Sequence, residues 1–425
     1  MKKVLWFSSL ITHQNRCTTG TWHDTLSRLL ANSGRYAIGN IAFSDVPNVI
    51  EQNIDGIKQW VLPYPKKFTA SGTPRKSYIH TMSRIVDDFN PDLIHVWGVE
   101  GFSGLLTARR TIKHPAILEI QGIKGEIAKV YQGGLSGIEQ RQCLGIKEIL
   151  TLRSINKERQ KFLDWGLREK EIIKGHRHIL TQTTWAESHV KAINPDCKTY
   201  LSKRALQINT MDAKKLERLY SPSRKKQLFV SAAYSAPFKG LHTAIRATAH
   251  LRKAVPEIEL RIAGDHVRSG IRKDGYIRWL ESIIRELDIS SNVKWLGALN
   301  ADQIRKELED ATAFILPSFL ENCSTSMQEA MAVGTPVVAS YVGGLPSLAQ
   351  DEISALFFPA GDDVMCARQV MRLIEDVELT KKISENSLEI SKTRNDPESI
   401  LYSLTSTYSE VMLIESLSNI DANAR

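Results

Sequence analysis

Residues 317–344, PSFLENCSTSMQEAMAVGTPVVASYVGG, restrict the possible folds of this chain more than any other stretch. The apolar run 313–316 before them is typical of a buried parallel strand, and 337–339 predict a second one. Residues 325–333 favour a short helix that ends at Gly334, because glycine is common just after helices. The stretch therefore predicts a strand–loop–helix–strand unit whose loop opens at the carboxyl end of a sheet, where α/β proteins bind ligands.

The loop of this unit is suited to a ligand that carries both phosphate and hydroxyl groups. Its polar residues are Glu321, Asn322, Cys323 and Ser324. Free N–H groups at the start of the following helix suit a phosphate, whereas Glu321 and Glu329 can accept hydrogen bonds from sugar hydroxyls. This combination indicates a nucleotide-sugar. An alternative for Glu329 is a capping box with Ser326, in which the carboxylate only accepts from a backbone N–H.

The spacing of these two glutamates resembles a known family signature. Glu321, seven further residues, Glu329 at the head of EAMAVGTPVVAS, and a glycine pair at 343–344 resemble the E-x7-E motif of retaining glycosyltransferases of family 4. The resemblance implies an α/β protein of GT-B architecture, with two Rossmann-like domains facing across an interdomain cleft. The expected parts are an N-terminal acceptor-side domain over 1–210, a C-terminal nucleotide-sugar-binding domain over 211–395, and a C-terminal helix over 396–425 that packs back on the first domain.

The same resemblance implies a second part of the donor site, after the first predicted strand of the second domain. Family-4 enzymes have Gly-Arg-x4-Lys-Gly there, in which the arginine and lysine bind the donor diphosphate. This chain matches the motif at Lys239 but has Tyr234 in place of the arginine. Because an ammonium group beside a helix N-terminus can neutralise a leaving phosphate, Lys239 and Glu321 are the predicted catalytic residues. Arg16 and Arg268 are candidates to replace the missing arginine.

Four further positions are predicted to line the cleft. Gly20 lies where the family has a glycine pair near the diphosphate, and Gly264 follows the predicted strand 259–263. Gln121 takes the place of a histidine that contacts the donor sugar in the family; its amide can bind a hydroxyl but cannot exchange protons. Glu100 follows another predicted strand and is expected to contact the acceptor, the alternative being a carboxylate that only stabilises a helix dipole.

Length, cysteine content and apolar runs limit the other possibilities. A chain of 425 residues exceeds what one hydrophobic core usually serves, so two domains are expected. Its five cysteines form no Cys-x-x-Cys pair or zinc-like spacing, and it has no Asp-x-Asp motif, so we expect a reducing compartment, no metal and no cofactor. The apolar run after Lys3 is too short for a signal peptide or for a membrane span of roughly 20 residues, which predicts a cytoplasmic protein.

Net charge is distributed unevenly along the chain. Residues 1–220 carry 33 Lys and Arg against 20 Asp and Glu, net +13, whereas residues 221–425 carry 23 against 27, net −4. This asymmetry favours an anionic partner for the first half. Nucleic acid is not expected, because no zinc, RNP-like or aromatic–basic motif is present, which leaves an anionic membrane leaflet. Residues 139–178 predict a long basic helix that either lies on the inner face of the cell membrane or packs its apolar stripe on the core.

The residues and the resemblance together predict a retaining glycosyltransferase that moves a sugar from a UDP- or GDP-linked donor to a hydroxyl of a glycan or lipid-linked acceptor. Residues 183–195 are similar to a branch of family 4 from bacterial surface-polysaccharide gene sets, which implies a role in polysaccharide synthesis. A GT-B epimerase or phosphorylase is one alternative, although neither acid–base carboxylates nor a pyridoxal lysine environment is evident. A nucleotide-sugar binding protein without turnover is another, because Tyr234 and Gln121 depart from the family pattern.

Overall fold

The computed structural model describes residues 1–8, 10–12, 21–151, 153–208, 226–232, 236–264 and 274–423. The first sheet contains β1 (Lys2–Phe7), β2 (Tyr36–Ser44), β3 (Ile50–Ile54), β4 (Ile57–Pro63), β5 (Leu93–Trp97), β6 (Ala116–Glu119), β7 (His178–Thr181) and β8 (Lys198–Leu201). The second sheet contains β9 (Gln227–Ser231), β10 (Glu259–Ala263), β11 (Val293–Gly297), β12 (Ala313–Leu316), β13 (Val337–Ser340) and β14 (Leu356–Phe358).

Helices alternate with these strands, as parallel sheets require. The helices of the first half are α1 (Thr21–Asn32), α2 (Lys76–Phe89), α3 (Ser103–Ala108), α4 (Lys124–Val130), α5 (Gly137–Gln142), α6 (Ile146–Leu150), α7 (Ile155–Lys174) and α8 (Thr184–Ile193). Those of the second half are α9 (Leu241–Arg252), α10 (Gly275–Glu286), α11 (Ala301–Asp310), α12 (Thr325–Val333), α13 (Asp363–Glu375), α14 (Val377–Arg394) and α15 (Pro397–Asn423). Within the described residues, no helix has the length and apolar composition needed to cross a bilayer.

Both sheets have the topology of a Rossmann-like domain. The first has the order β3-β4-β2-β1-β5-β6-β7-β8 and is parallel except for the β3–β4 pair. The second has the order β11-β10-β9-β12-β13-β14 and is parallel throughout. Strand β1 lies inside the first sheet, with Leu5 opposite Gly39 of β2 and Ile94 of β5. The predicted α/β fold with two parallel-sheet domains is confirmed.

Each sheet has a hydrophobic core on both faces, because successive side chains of a strand point to opposite sides. In β1, Leu5 and Phe7 belong to one core and Val4 and Trp6 to the other. In β9, Leu228 and Val230 face one core of the second sheet, while its central phenylalanine faces the other. Helix α15 follows the second domain in the chain but contributes Ile400, Leu404, Tyr408 and Val411 to the Val4–Trp6 core of the first sheet.

The prediction of one continuous basic helix over residues 139–178 is wrong, because the structure has three helices in this region. Helix α5 ends at Gln142, α6 extends from Ile146 to Leu150, and α7 begins at Ile155. The breaks have local and tertiary causes: Ser154 caps α7 by accepting from the N–H of Lys157, and Glu148 of α6 accepts from the N–H of Gly275 at the start of α10 (3.0 Å). The Ser154 cap and the contact with the second domain therefore interrupt a segment whose apolar pattern favours a continuous helix.

Candidate functional site

Lys239 and Glu321 form an ion pair across two loops of the second domain. Strands β9 and β12 are neighbours in the sheet, so the loops after their carboxyl ends lie side by side. The N–H of Phe319 donates to the carbonyl of Phe238 (2.7 Å) and joins the loops directly. Lys239 Nζ lies 2.7 Å from Glu321 Oε1, and the two side chains are 23% and 14% exposed. An ammonium and a carboxylate thus meet at the carboxyl end of the sheet, both within reach of solvent.

A glycine is required behind Lys239. Lys239 ends the short 3₁₀ turn Pro237–Lys239, and Gly240 follows with φ of +70° before α9 begins. A Cβ atom on Gly240 would lie 1.9 Å from the carbonyl oxygen of Pro317. Only a residue without a side chain permits this close approach of the two loops. The Lys-Gly pair therefore places the lysine against the Glu321 loop.

Hydrogen bonds from two different loops fix the backbone and the carboxylate of Glu321. Ser318 Oγ donates to Glu321 Oε1 (2.7 Å), the same oxygen that contacts Lys239. The N–H of Gly344 donates to the carbonyl of Glu321 (2.9 Å). Gly343 has φ of +52°, and a Cβ there would lie 2.1 Å from that carbonyl. The glycine pair after β13 consequently supports the backbone of the Glu321 loop.

Ser324 and Cys323 form the start of α12. Ser324 is the N-cap, and its Oγ accepts from the N–H of Met327 (3.3 Å). Cys323 Sγ accepts from Gln328 Nε2 (3.3 Å). The capping box considered for Ser326 and Glu329 is wrong, because the helix begins two residues earlier and Glu329 lies beyond its first turn. The side chains of Cys323 and Ser324 therefore make hydrogen bonds within the start of the helix, and the Ser324 hydroxyl accepts from one N–H of its first turn.

Glu329 is a buried carboxyl group in α12. Its side chain is only 9% exposed, and burial raises its pKa to about 7. Within the described ranges, no backbone or side-chain group donates a hydrogen bond to this carboxyl. A largely buried carboxyl group is costly to a fold when it is charged, and such groups in a cleft often serve a ligand.

Asn322 joins the second domain to the first. Its Oδ1 accepts from Thr183 Oγ1 (2.7 Å), and its Nδ2 donates to the backbone carbonyl of Gln121 (3.1 Å). Thr183 follows β7 and Gln121 follows β6, so both lie at the carboxyl edge of the first sheet. The carboxyl edges of the two sheets therefore face each other and are in contact through the loop that carries Glu321.

The side chain of Gln121 belongs to a buried network that the sequence did not predict. Its Oε1 accepts from Arg204 Nη2 (2.5 Å), and its Nε2 donates to Glu119 Oε1 (3.1 Å). Arg204 Nη2 also donates to Gln182 Oε1 (3.2 Å), and its guanidinium lies 3.7 Å from the ring centroid of Trp22. Arg204 has no motif around it, and an arginine that is only 5% exposed cannot be recognised from an isolated position in a sequence.

The remaining predicted residues lie around this centre or outside the described chain. Glu100 is half-buried after β5; burial raises its pKa, which the nearby ammonium of Lys124 opposes. Gly264 follows β10, which lies on the side of β9 away from β12, and its N–H donates to the carbonyl of Gly297 (2.8 Å). The predictions that lie outside the described residues are Gly20, Tyr234, Arg16 and Arg268.

Two Rossmann-like domains with facing carboxyl edges, and a last helix that returns from the second domain to the first, define the GT-B class of α/β proteins. Solved structures agree with this class. Sucrose-phosphate synthase from Thermosynechococcus elongatus superposes with a TM-score of 0.73 at 18% identity, over 97% of this chain and all of that one. HepE from Anabaena in complex with UDP and glucose superposes with a TM-score of 0.67 at 16% identity, over 96% of this chain and all of that one.

Sequence relatives identify the protein family to which the second half of the chain is related. Residues 213–389 match the family model described as Glycosyl transferases group 1. D-inositol 3-phosphate glycosyltransferase from Salinispora arenicola is 28% identical over 36% of this chain and 34% of that protein. The amylovoran biosynthesis glycosyltransferase AmsK from Erwinia amylovora is 24% identical over 57% of this chain and 59% of that protein. The matched segments thus span less than two thirds of these relatives, and by sequence residues 213–389 are related to group 1 glycosyltransferases.

Proposed function

We propose that this chain is a retaining glycosyltransferase of family 4 that moves a sugar from a UDP- or GDP-linked donor to an acceptor hydroxyl. The observation that carries the proposal is the Lys239–Glu321 pair (2.7 Å) beside the start of α12, at the contact between the two sheet edges. Positive groups for a diphosphate and a carboxylate for sugar hydroxyls meet there. The relation of residues 213–389 to group 1 glycosyltransferases supports the same reaction class.

On the donor side, each proposed role follows from the chemistry of the group. Lys239 and the N–H groups at the start of α12 bind the diphosphate and stabilise its charge as the bond to the sugar breaks. Glu321 orients the sugar hydroxyls, and Glu329 accepts from the ribose hydroxyls, which would satisfy its buried carboxyl. Gly264 lets the backbone approach the donor. The same donor pocket is proposed to include Asn322, Cys323 and Ser324 as parts of the loop that holds Glu321 in place.

On the acceptor side, Glu100 lies in the first domain, where the acceptor hydroxyl has to enter. Gln121, in the same domain, is proposed to contact the donor sugar. In the proposed reaction the acceptor oxygen attacks the anomeric carbon on the face from which the nucleoside diphosphate departs, so the configuration is retained. The hydroxyl proton passes to the departing phosphate oxygen, and no strong base is needed. Such chemistry depends on positioning and charge stabilisation. Because Lys239 and a helix N-terminus supply the positive charge, we propose that neither metal nor cofactor takes part.

The proposed setting is the synthesis of a cell-surface polysaccharide at the cytoplasmic face of the membrane. AmsK is named for amylovoran biosynthesis, and a further relative, the putative colanic acid biosynthesis glycosyltransferase WcaL from Escherichia coli, is 30% identical over 31% of this chain. The excess of positive charge in residues 1–220 suits a lipid-linked acceptor in an anionic leaflet.

The test is release of nucleotide from a panel of UDP-, GDP- and ADP-sugars with a lipid-linked acceptor. We expect Glu321→Ala to lower transfer by about 10²-fold or more, the loss typical of removing a group that orients or stabilises the reacting centre. Glu307→Ala is the matched control: Glu307 pairs with Arg261 at 2.6 Å, is 16% exposed, and contacts Gln227 at the amino end of β9, away from the cleft. Unchanged transfer in Glu321→Ala would exclude the proposed site.

Thermal denaturation with UDP and with GDP identifies the donor base. A ligand present at about 100 times its Kd stabilises the folded state by about 2.7 kcal/mol, so the correct nucleotide raises Tm and the other does not. Binding without transfer from any donor would instead support a nucleotide-sugar binding protein. Full activity in excess chelator is expected; a loss that Mg²⁺ restores would contradict the proposed metal-free reaction.

A further inference from the structure

Five large apolar side chains are exposed within thirteen residues of α5, α6 and their connection. We call this the α5–α6 surface; its apolar members are Ile138 (71% exposed), Leu144 (43%), Ile146 (58%), Ile149 (63%) and Leu150 (74%). No other stretch of thirteen residues in the described chain exposes as many large apolar side chains. A group of exposed apolar side chains of this kind is typical of an interaction site.

Helix α6 has its polar and apolar faces reversed relative to a helix that packs on a core. Residues turn by about 100° each in an α-helix, so Ile146, Ile149 and Leu150 share one face and Glu148 lies on the opposite face. The structure places Glu148 inward, with the carboxylate accepting from the N–H groups of Gly145 (3.1 Å) and Gly275 (3.0 Å). The apolar face of α6 therefore points to solvent because the acidic face is bound to the second domain.

The charged side chains that reach solvent around this surface are mostly positive. Glu148 also pairs with Arg278 (2.9 Å), and Glu139 pairs with Arg246 (2.5 Å), so both acids of α5 and α6 are directed toward the second domain. Arg141 is exposed on α5. Arg153 and Lys157 are exposed just beyond α6. The other nearby acids are engaged by lysines: Asp274 by Lys147 (3.6 Å) and Glu158 by Lys161 (2.6 Å).

We propose that the α5–α6 surface docks this protein on an anionic lipid bilayer. Its apolar side chains enter the boundary between head groups and acyl chains, and Arg141, Arg153 and Lys157 contact lipid phosphates. The combination of apolar centre and cationic rim favours anionic lipid over a second copy of this chain, whose own α5–α6 surface carries the same positive charge. The inference deepens the proposed function, on which it rests for the purpose of docking, access to a lipid-linked acceptor.

The docking surface is continuous with the donor-site loop. The ring of Tyr131 lies 5.6 Å from that of Phe238, the neighbour of Lys239. Six residues after Tyr131, α5 begins, and its Gln142 accepts from Trp279 Nε1 of the second domain (3.1 Å). The segment of residues 131–150 thus contacts the turn that carries Lys239 and helix α10 of the second domain, and it also forms the proposed lipid-binding surface. Docking would therefore hold the cleft at a fixed height and orientation above the bilayer.

Co-sedimentation of the full chain with vesicles tests the proposal. We expect binding to vesicles that contain phosphatidylglycerol and much weaker binding to pure phosphatidylcholine. The double variant Ile149→Ser and Leu150→Ser should bind phosphatidylglycerol vesicles at least about tenfold more weakly, because two inserting side chains are lost. Arg141→Ser with Arg153→Ser should remove the preference for anionic lipid. The matched control is Leu413→Ser with Leu417→Ser, a pair exposed to 59% and 54% on α15 near Glu410, which should bind like the wild type.

Wild-type protein that stays in solution with phosphatidylglycerol vesicles, or a double variant that binds as the wild type does, would overturn the proposal. Sedimentation velocity without vesicles covers the alternative occupant: a dimer that dissociates in Ile149→Ser and Leu150→Ser, without vesicle binding, would assign the surface to a second copy. The assay contains no nucleotide-sugar. Vesicle binding without transfer would thus reject only the proposed function, and transfer to a water-soluble acceptor without vesicle binding would reject only the docking surface.

Discussion

Among single residues, Glu329 differs from an exposed glutamate because it is buried. Burial raises its pKa from 4.5 to about 7, so the folded chain holds this proton where the unfolded chain releases it. The stability contributed by Glu329 is therefore lost as pH rises from about 4.5 to about 7, and the charged form costs on the order of 3 kcal/mol above that interval. We expect Glu329→Gln to be more stable than the wild type at pH 8 and of similar stability near pH 5.

Urea denaturation of the ligand-free protein at the two pH values measures this difference. Glu385→Gln is the control, because Glu385 is exposed on the same domain, in α14. The control should change stability equally, and little, at both pH values. A Glu329→Gln variant whose advantage is the same at pH 5 and pH 8 would contradict a raised pKa. If Glu329 binds ribose as proposed, the same variant should also lose nucleotide affinity, so that stability and binding change in opposite directions.

Among secondary-structure elements, the short turn that leads into α9 requires a glycine at Gly240. Gly240 has φ of +70°, and a Cβ would meet the carbonyl oxygen of Pro317 at 1.9 Å. Gly240→Ala is expected to destabilise the fold by about 2–4 kcal/mol, because a left-handed conformation costs roughly 1–2 kcal/mol and the loops must also separate. Since the turn carries Lys239, transfer should fall as well.

The variant Gly34→Ala separates the cost of the left-handed conformation from the cost of moving the two loops apart. Gly34 has φ of +62°, but a Cβ there has no neighbour within 4 Å, so this variant pays only the conformational cost of roughly 1–2 kcal/mol. Urea denaturation of both variants, with transfer measured in parallel, gives the comparison. Equal losses of stability, or full transfer in Gly240→Ala, would show that contact between the β9 and β12 loops is not needed.

Two helices of the second domain show what apolar periodicity can and cannot predict. Helix α12 is predictable because a strand, an N-terminal serine and Gly334 surround it within the local sequence. Helix α14 is not predictable in this way, because hydroxyl-bearing residues on its buried face interrupt the apolar stripe. These residues are Thr380, Ser384, Ser387 and Ser391. Hydroxyl-bearing side chains can pack between helices when their hydrogen bonds are made locally, as Ser387 Oγ does with the carbonyl of Ser384 (2.9 Å).

In the whole molecule, α15 connects the two domains and depends on one buried tyrosine. Tyr408 is fully buried; its hydroxyl accepts from Trp6 Nε1 (3.2 Å) and lies 2.6 Å from His95 Nδ1. Tyr408→Phe leaves both partners buried without that oxygen, so we expect it to lower the free energy of unfolding by about 1–3 kcal/mol. Tyr408→Ala adds a cavity and should cost about 3–5 kcal/mol in total.

Tyr402→Phe on the same helix is the control, since Tyr402 is 68% exposed and its hydroxyl faces solvent. Thermal and urea denaturation of the three variants should rank Tyr402→Phe near the wild type, then Tyr408→Phe, then Tyr408→Ala. If Tyr408→Phe were as stable as Tyr402→Phe, α15 would be held on the first domain by apolar contact alone.

A single sequence was enough to predict the strands and loops that carry the second-domain site. Glu321, Lys239 and the helix start all follow short apolar strands, and the local pattern of strand, glycine and helix cap is encoded within a few residues of each. The distant contacts were not predictable. Asn322 directs its side chain to Thr183 and Gln121, and Arg204 lies beneath Gln121. These pairings depend on which loops face each other after both sheets have formed.

By itself the sequence determined two parallel-sheet domains, the loop between β12 and α12, and the residue types that suit a nucleotide-sugar, because strand and helix patterns and caps are local properties. Only the tertiary structure decided that α6 turns its apolar face outward, whereas the break before α7 also has a local cause in the Ser154 cap. The physical reason is the carboxylate of Glu148, which is bound by Gly275 and Arg278 of the other domain. A contact across more than a hundred residues thus determines which face of α6 is buried.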